Sequence, residues 1–376
     1  MWVHEYQAKE LLRQNGVPVI NGIAVFTVQE AVEAAQKLGG GVWRLKAQTH
    51  TKKENEQGRF VHSLDELKQQ VSRFLNELLV EPNHQRQERK IRRLLVEECV
   101  DVEDGYGFSI SIDCSARKLQ VCLKPFNGER EGGAQIHVDS LKGLGSEDAR
   151  QLVVDAGVAS DQVAQVAAIC EKLYAIYEAT DAILLNLRLA WVKQRGRVEV
   201  IDARICFDDG ALFRQPDIHV LRDLDEENPN ALEASLYDIV YMDLKGRIGC
   251  LSNGGGLTIA LLDMVKSMGG EPANCVNVEG ALTEEKMLAA FEIMHKNDEM
   301  CVLLIHLVVE VLSCDVVARH IVGAYEGANL NIPLVVRLKG CLEDEGEKML
   351  KACGLPVHLT DSLEKAVQRA VALGNE

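Results

Sequence analysis

The chain lacks any apolar stretch of about 18 residues without a charge, which excludes a spanning helix by length. It also lacks a CxxC pair and any Cys/His spacing typical of zinc ligands, although it carries 11 cysteines scattered from Cys99 to Cys353. No structural zinc is expected, and the cysteines read as reduced, mostly buried core residues of a reducing compartment. Basic side chains are too few to balance acidic ones: 41 against 57 leave a formal charge of −16. Such a balance repels phosphate backbones and anionic lipid, so neither nucleic acid nor a membrane is expected as a partner. Residues 1–12 carry Glu5 and Glu10 where a leader would be basic or continuously apolar. A cytoplasmic location is therefore expected, with the mitochondrial matrix an option only after removal of a presequence.

What is present is an ordinary globular mixture, 47% hydrophobic and 26% charged over 376 residues, enough for about two or three domains with real cores. Residues 4–12 have helical spacing that stops at Asn15-Gly16, while 17–25 and 42–47 read as short strands. The Ser63 cap, with Glu66 three places later, opens a helix predicted over 63–80. Strands are predicted at 94–99 and 107–112. The run 86–93 holds five basic residues and no aromatic one, and reads as a solvated face. A helical pair is expected over 146–179, then strands at 182–191 and 198–205 joined by a turn at Gly196. The stretch 206–230, rich in Asp, Asn and Pro, reads as a domain boundary.

Beyond residue 245 the pattern becomes regular. Strand-like runs at 247–251, 273–278, 301–309 and 333–338 alternate with helical runs at 257–268, 284–296, 315–326 and 343–352, and a last helix spans 362–373. Repeated βα units imply an α/β doubly wound parallel sheet of flavodoxin type, with ligands at the carboxyl ends of its strands. None of the ten histidines falls in a His/Asp/Ser or HExxH arrangement; His50, His137 and His306 read as loop or core residues.

Five segments together carry a resemblance: 4–9 (HEYQAK), 212–217 (LFRQPD), 253–257 (NGGGL), 269–274 (GGEPAN) and 335–338. In these, end to end and in order, the chain resembles the β subunit of succinate–CoA ligase. The resemblance implies an ATP-grasp domain over 1–235, in two lobes, followed by a flavodoxin-like CoA-ligase domain over 245–376. It implies an α-subunit-like partner that holds coenzyme A and a phosphorylated histidine, and a reaction joining a dicarboxylic acid to CoA with ATP or GTP and Mg²⁺.

Carried over residue by residue, the resemblance assigns Lys46 and Glu97 to the nucleotide, Asp202 to the metal and Asn253 to the dicarboxylate. It also marks departures. The glycine-rich phosphate loop is reduced to Gly58 within 50–58, which instead carries Lys52, Lys53, Glu54 and Glu56. Val100 and Gly105 replace polar and acidic residues of the purine hinge. Asn186 stands where a glutamate would brace the phosphohistidine, and Arg188 stands where an asparagine would bind the metal. A guanidinium ligates no cation; at about 4 Å and an effective dielectric near 20 it opposes each unit of metal charge by roughly 4 kcal/mol. A salt bridge from Arg188 to Asp202 is the expected alternative. Glu279-Gly280-Ala281 replaces three glycines, and Val309-Glu310 replaces two more, so Glu310 puts a carboxylate where an anion would dock.

Two readings follow. In one the chain is the active nucleotide-binding subunit of a succinate–CoA ligase of the tricarboxylic acid cycle, or of a close dicarboxylate relative. In the other, which the clustering of substitutions at the chemistry favours, it is a paralogue that keeps the fold and the partner surface with weak or absent phosphoryl transfer.

Overall fold

The computed structural model describes residues 1–50, 58–80, 88–126 and 132–376. The expected phosphate loop at 51–57 and the first part of the basic run lie outside the described residues. The described chain divides into two compact units, one up to Glu226 and the other from Glu227 onward. No helix among the described residues is long and apolar enough to cross a membrane.

The first unit opens with α1 (Glu5–Gln14), β1 (Gly22–Val25), α2 (Val28–Leu38), β2 (Trp43–Ala47), β3 (Arg59–Val61), α3 (Leu64–Leu75), β4 (Leu78–Val80), β5 (Glu88–Lys90) and β6 (Leu94–Glu98). Four strands form an antiparallel sheet in the order β1-β6-β2-β3. Alternation along β2 and β6 sends Leu45, Leu94 and Val96 into a core under α2 and α3, together with Leu67, Val71 and Phe74. The opposite face of β2 and β6 presents Lys46 and Glu97. The helix predicted to run to residue 80 stops at Leu75: Asn76 caps it, and Leu78 starts β4, paired with β5. Leu78 keeps the helical apolar spacing, but strand pairing overrides it. Arg92 and Arg93 are not simply solvated; they pair with Asp225 and Asp223.

A second sheet follows, built of β7 (Val102–Asp113), β8 (Lys118–Pro125), β9 (Ala134–Val138), β10 (Ala182–Val192) and β11 (Arg197–Phe207), with α4 (Ser146–Asp155) and α5 (Val163–Ala179) inserted before β10. Its order is β11-β10-β7-β8-β9. Tyr106, Phe108, Leu185, Leu187 and Leu189 share one core with α4 and α5, leaving Gly105, Gly107, Asn186, Arg188 and Asp202 on the other face. The LFRQPD segment explains itself structurally. Arg214 grips Asp181 through Nε (2.9 Å) and Nη2 (2.5 Å), and Gln215 donates to the same carboxylate at 2.8 Å. Pro216 then opens the short α6 (Pro216–His219).

The second unit comprises α7 (Pro229–Ser235), β12 (Ile239–Asp243), β13 (Ile248–Ser252), α8 (Gly255–Ser267), β14 (Pro272–Val278), α9 (Glu284–His295), β15 (Val302–Val309), α10 (Cys314–Gly327), β16 (Leu334–Gly340), α11 (Glu343–Ala352), β17 (Val357–Leu359) and α12 (Leu363–Asn375). The sheet order is β12-β14-β13-β15-β16-β17, parallel except for the antiparallel edge strand β12. Helix α7 buries Ala234 in the second unit's core beside Ile239. Of the cysteines, all free, five are buried: Cys170, Cys206, Cys250, Cys275 and Cys314. Cys99, Cys114 and Cys341 are exposed and Cys122, Cys301 and Cys353 half-buried, so the expectation of a mostly buried set is not met.

Candidate functional site

Lys46 and Glu97 do come together, but against each other. Lys46 is fully buried, and its Nζ donates to Glu5 Oε1 at 2.5 Å and to the Ile201 carbonyl at 3.2 Å, with Glu97 Oε2 3.0 Å away. Lys9, one helical turn after Glu5, bonds Glu5 at 2.8 Å and the Ile201 carbonyl at 3.0 Å, and also pairs with Glu97. Two ammoniums and two carboxylates thus close a buried ring supplied by α1, β2 and β6. Burial alone would push the Glu5 carboxyl up, yet Lys46 and Lys9 hold it below the ordinary range. Burial likewise works against the charge of Lys46, while Glu5, Glu97 and Asp202 hold its pKa above the usual lysine value.

Glu5 and Lys9 were not among the residues assigned from the sequence. The available signal was their i,i+4 spacing on one helix face, and only β6 and β11 reveal what that face meets. Gly58, the glycine left in the phosphate loop, is needed by the chain itself: a Cβ there would lie 2.8 Å from Lys46 Cγ and from Arg44 Nε.

On the neighbouring sheet, Gly107, Arg188 and Asp202 form one cross-strand row. The expected salt bridge does not close. The Arg188 guanidinium instead lies over the Phe126 ring, 5.7 Å from its centroid. It can do so because Gly105 has no side chain: a Cβ there would fall 2.0 Å from the Phe126 ring. Asp202 is largely enclosed, and burial, then the Glu5 carboxylate, push its pKa up despite Lys46, Lys9 and Arg188. The cavity beside it, lined by Trp2, Glu5, Thr49, His50, Asp202 and Arg204, has a volume of about 20 Å³. That is room for about one water.

These donors do not fit a divalent cation. Mg²⁺ takes hard oxygen ligands in octahedral array, whereas the row offers one carboxylate of raised pKa, and its cross-strand neighbour is an arginine. Among the described residues, no group of three or more His, Cys, Asp or Glu is placed to hold a metal ion.

In the second unit Asn253, Glu279 and Glu310 each follow directly on a parallel strand, β13, β14 and β15. They border a cavity of about 520 Å³. Asn253 spends its amide on the backbone: Nδ2 donates to the Val308 carbonyl at 2.7 Å, and Oδ1 accepts from the Val308 N–H at 2.9 Å. The Gly254 N–H donates to Asn277 Oδ1 at 2.7 Å, and Asn277 Nδ2 donates to Glu279 Oε1 at 2.8 Å. Gly254 adopts φ 97°, which frees the turn into α8 of a side-chain clash.

Comparison with known proteins agrees with this architecture. The ATP-grasp domain family matches residues 2–188 and the CoA-ligase family residues 251–372. A succinate–CoA ligase [ADP-forming] subunit beta from Albidiferax ferrireducens is 41% identical over 388 residues, covering 99% of each chain. Proteins of the same name from Delftia acidovorans, 41% identical over 387 residues, and Bordetella pertussis, 41% over 383, cover 99% of each chain as well. The structure of ATP citrate lyase from Methanothrix soehngenii, in complex with citrate and coenzyme A, shares the fold with a TM-score of 0.74 at 17% identity, over 99% of both chains. With such identity across nearly its whole length, this chain, an ATP-grasp domain followed by a CoA-ligase domain, belongs to the succinate–CoA ligase β-subunit family.

Proposed function

We propose that this protein is a β-type subunit that keeps the family fold and its association with an α-type partner, while nucleotide-dependent phosphoryl transfer is weak or lost. The family implies a nucleotide, Mg²⁺ and coenzyme A; in this proposal CoA belongs to the partner subunit, and the working location is the cytoplasm. The observation that carries the reading is charge placement in the row Gly107–Arg188–Asp202, where an arginine is the cross-strand neighbour of the carboxylate assigned to the metal. The ring around Lys46 and the Phe126 ring lying on Gly105 support it. In this reading the ATP-grasp part ends near 235 and the ligase part begins near 245.

Calorimetry with Mg-ATP, run beside an α-type partner, tests it. Stable association without nucleotide heat and without phosphorylation of the partner is expected; micromolar nucleotide binding with phosphorylation overturns it. The triple variant Arg188→Asn, Asn186→Glu, Glu310→Gly is expected to recover ligase activity.

A second reading has its own support, the 41% identity over 99% of both chains to proteins named as the ADP-forming ligase subunit. In it the chain is active: Lys46 leaves Glu5 and Glu97 for the phosphates, Glu97 meets the nucleotide, Asp202 holds Mg²⁺, and Asn253 releases Val308 to contact the dicarboxylate. The same calorimetry separates the two.

A further inference from the structure

A cavity of about 570 Å³ lies in the first unit, on the helix-covered face of the second sheet, within the range of small-molecule sites. That face is opposite the one carrying Arg188 and Asp202. Its floor is one cross-strand row, Ile112–Leu119–Val138. Val138 is buried but Ile112 is 59% exposed, so the row runs out from under α5. Two tyrosines of α5 form the wall. Tyr174 donates its hydroxyl to Glu178 Oε1 at 2.7 Å. Tyr177 is only 9% exposed, and burial pushes its pKa up, so the hydroxyl keeps its proton. It has no hydrogen-bond partner among the described residues. A tyrosine buried this far ordinarily has one, and an acceptor in the cavity would supply it.

The charges at the mouth are of both signs. Arg117, in the β7–β8 turn, and Lys118, which starts β8, are exposed without an ion-pair partner among the described residues. Asp139, directly after β9, and Glu178, on α5, bring two carboxylates. Asp139 has one oxygen on the Leu141 N–H at 2.9 Å, and His137 is held by Asp113 at 3.0 Å. A ligand with a single charge would meet attraction from one pair and repulsion from the other, whereas a ligand with both charges a short distance apart satisfies both pairs. We propose that this cavity binds an α-amino acid with an apolar side chain, as its zwitterion. The carboxylate lies toward Arg117, Lys118 and the Tyr177 hydroxyl, the ammonium toward Asp139 and Glu178, and the side chain on the Ile112–Leu119–Val138 row. The inference stands apart from the proposed loss of phosphoryl transfer, because none of these residues is assigned to the nucleotide, the metal or the dicarboxylate.

The test is calorimetry of the full chain with L-phenylalanine, and separately with 3-phenylpropanoate and 2-phenylethylammonium, each of which lacks one of its charges. Phenylalanine is expected to bind about tenfold more tightly than either. Tyr177→Phe should weaken its binding about tenfold by removing one hydrogen bond to a charged group. Arg117→Gly, which suits the φ of 53° at that turn, should weaken it by a similar factor. Ile112→Trp, at an exposed position, should block binding by filling the cavity, with thermal melts confirming that each variant folds. Absence of phenylalanine binding overturns the proposal. Phenylpropanoate or phenylethylammonium binding as tightly as phenylalanine overturns it too, since the site would then read one charge or none. Phenylalanine binding that both Tyr177→Phe and Ile112→Trp leave unchanged would place the ligand elsewhere and overturn it as well.

Discussion

Lys46 has an ordinary identity and an unusual setting. A lysine at a strand end is normally a solvated tip, but here its ammonium is fully buried between Glu5 and Glu97, with Lys9 closing the ring. Removing one partner from a buried ion cluster leaves the others uncompensated, so Lys46→Met is expected to cost about 3–5 kcal/mol in urea unfolding. A lysine kept free for phosphates would cost little on the same substitution, so an unchanged urea midpoint argues against the ring as a structural unit. The residue types of this ring were all legible in the sequence, and Lys46, Glu97 and Asp202 were assigned to one site. Their mutual neutralisation was not legible, because it depends on α1 delivering Glu5 and Lys9 from a segment 41 and 37 residues away from Lys46 in the chain.

At the scale of elements, the end of β8 and the middle of β7 depend on one another. Phe126 donates its N–H to the Gly105 carbonyl at 3.0 Å, and its ring covers the glycine's open side. Gly105→Ala is therefore expected to destabilise the protein by about 1–3 kcal/mol through overpacking. Phe126→Ala in the same chain should relieve most of that loss; a double-mutant cycle in urea checks it, and strict additivity would refute the contact. The βα repeat of the second unit was legible almost element for element, because the four parallel strands β13 to β16, largely buried on both faces, read as continuous apolar runs. The strands β8, β9, β12 and β17 were not anticipated. They are edge or near-edge strands with exposed positions such as Val240 and Met242, and their apolar signal is diluted. The early stop of α3 escaped for the opposite reason: Leu78 continued the helical spacing while its backbone paired with Lys90.

The whole molecule should lose stability on mild acidification. Burial, then the Arg337 guanidinium, push the His306 pKa down to about 4, and burial pushes His4 down as well, in spite of Asp223. Both imidazoles favour the neutral form in the fold, whereas the unfolded chain takes up its protons near pH 6.5. The stabilisation is therefore complete above about pH 6.5 and drains away as pH falls toward 4, with His306 contributing on the order of 2 kcal/mol. Asp202, raised by burial and Glu5, acts in the opposite sense, since the fold takes up its proton before the unfolded chain does. Urea midpoints measured from pH 7.5 to pH 4.5 should fall, and His306→Gln should flatten the slope; an unaltered slope would exclude His306 as its source. The sequence by itself determined the family, the order of the two domains and the identity of every charge at the site, since hydrophobic period and turn residues act locally along the chain. Only the tertiary structure decided which charges meet. Lys46 was claimed by Glu5 and Glu97, Arg188 by the Phe126 ring and Asn253 by Val308, because side chains distant in sequence pair according to strand register and burial, which no local pattern encodes.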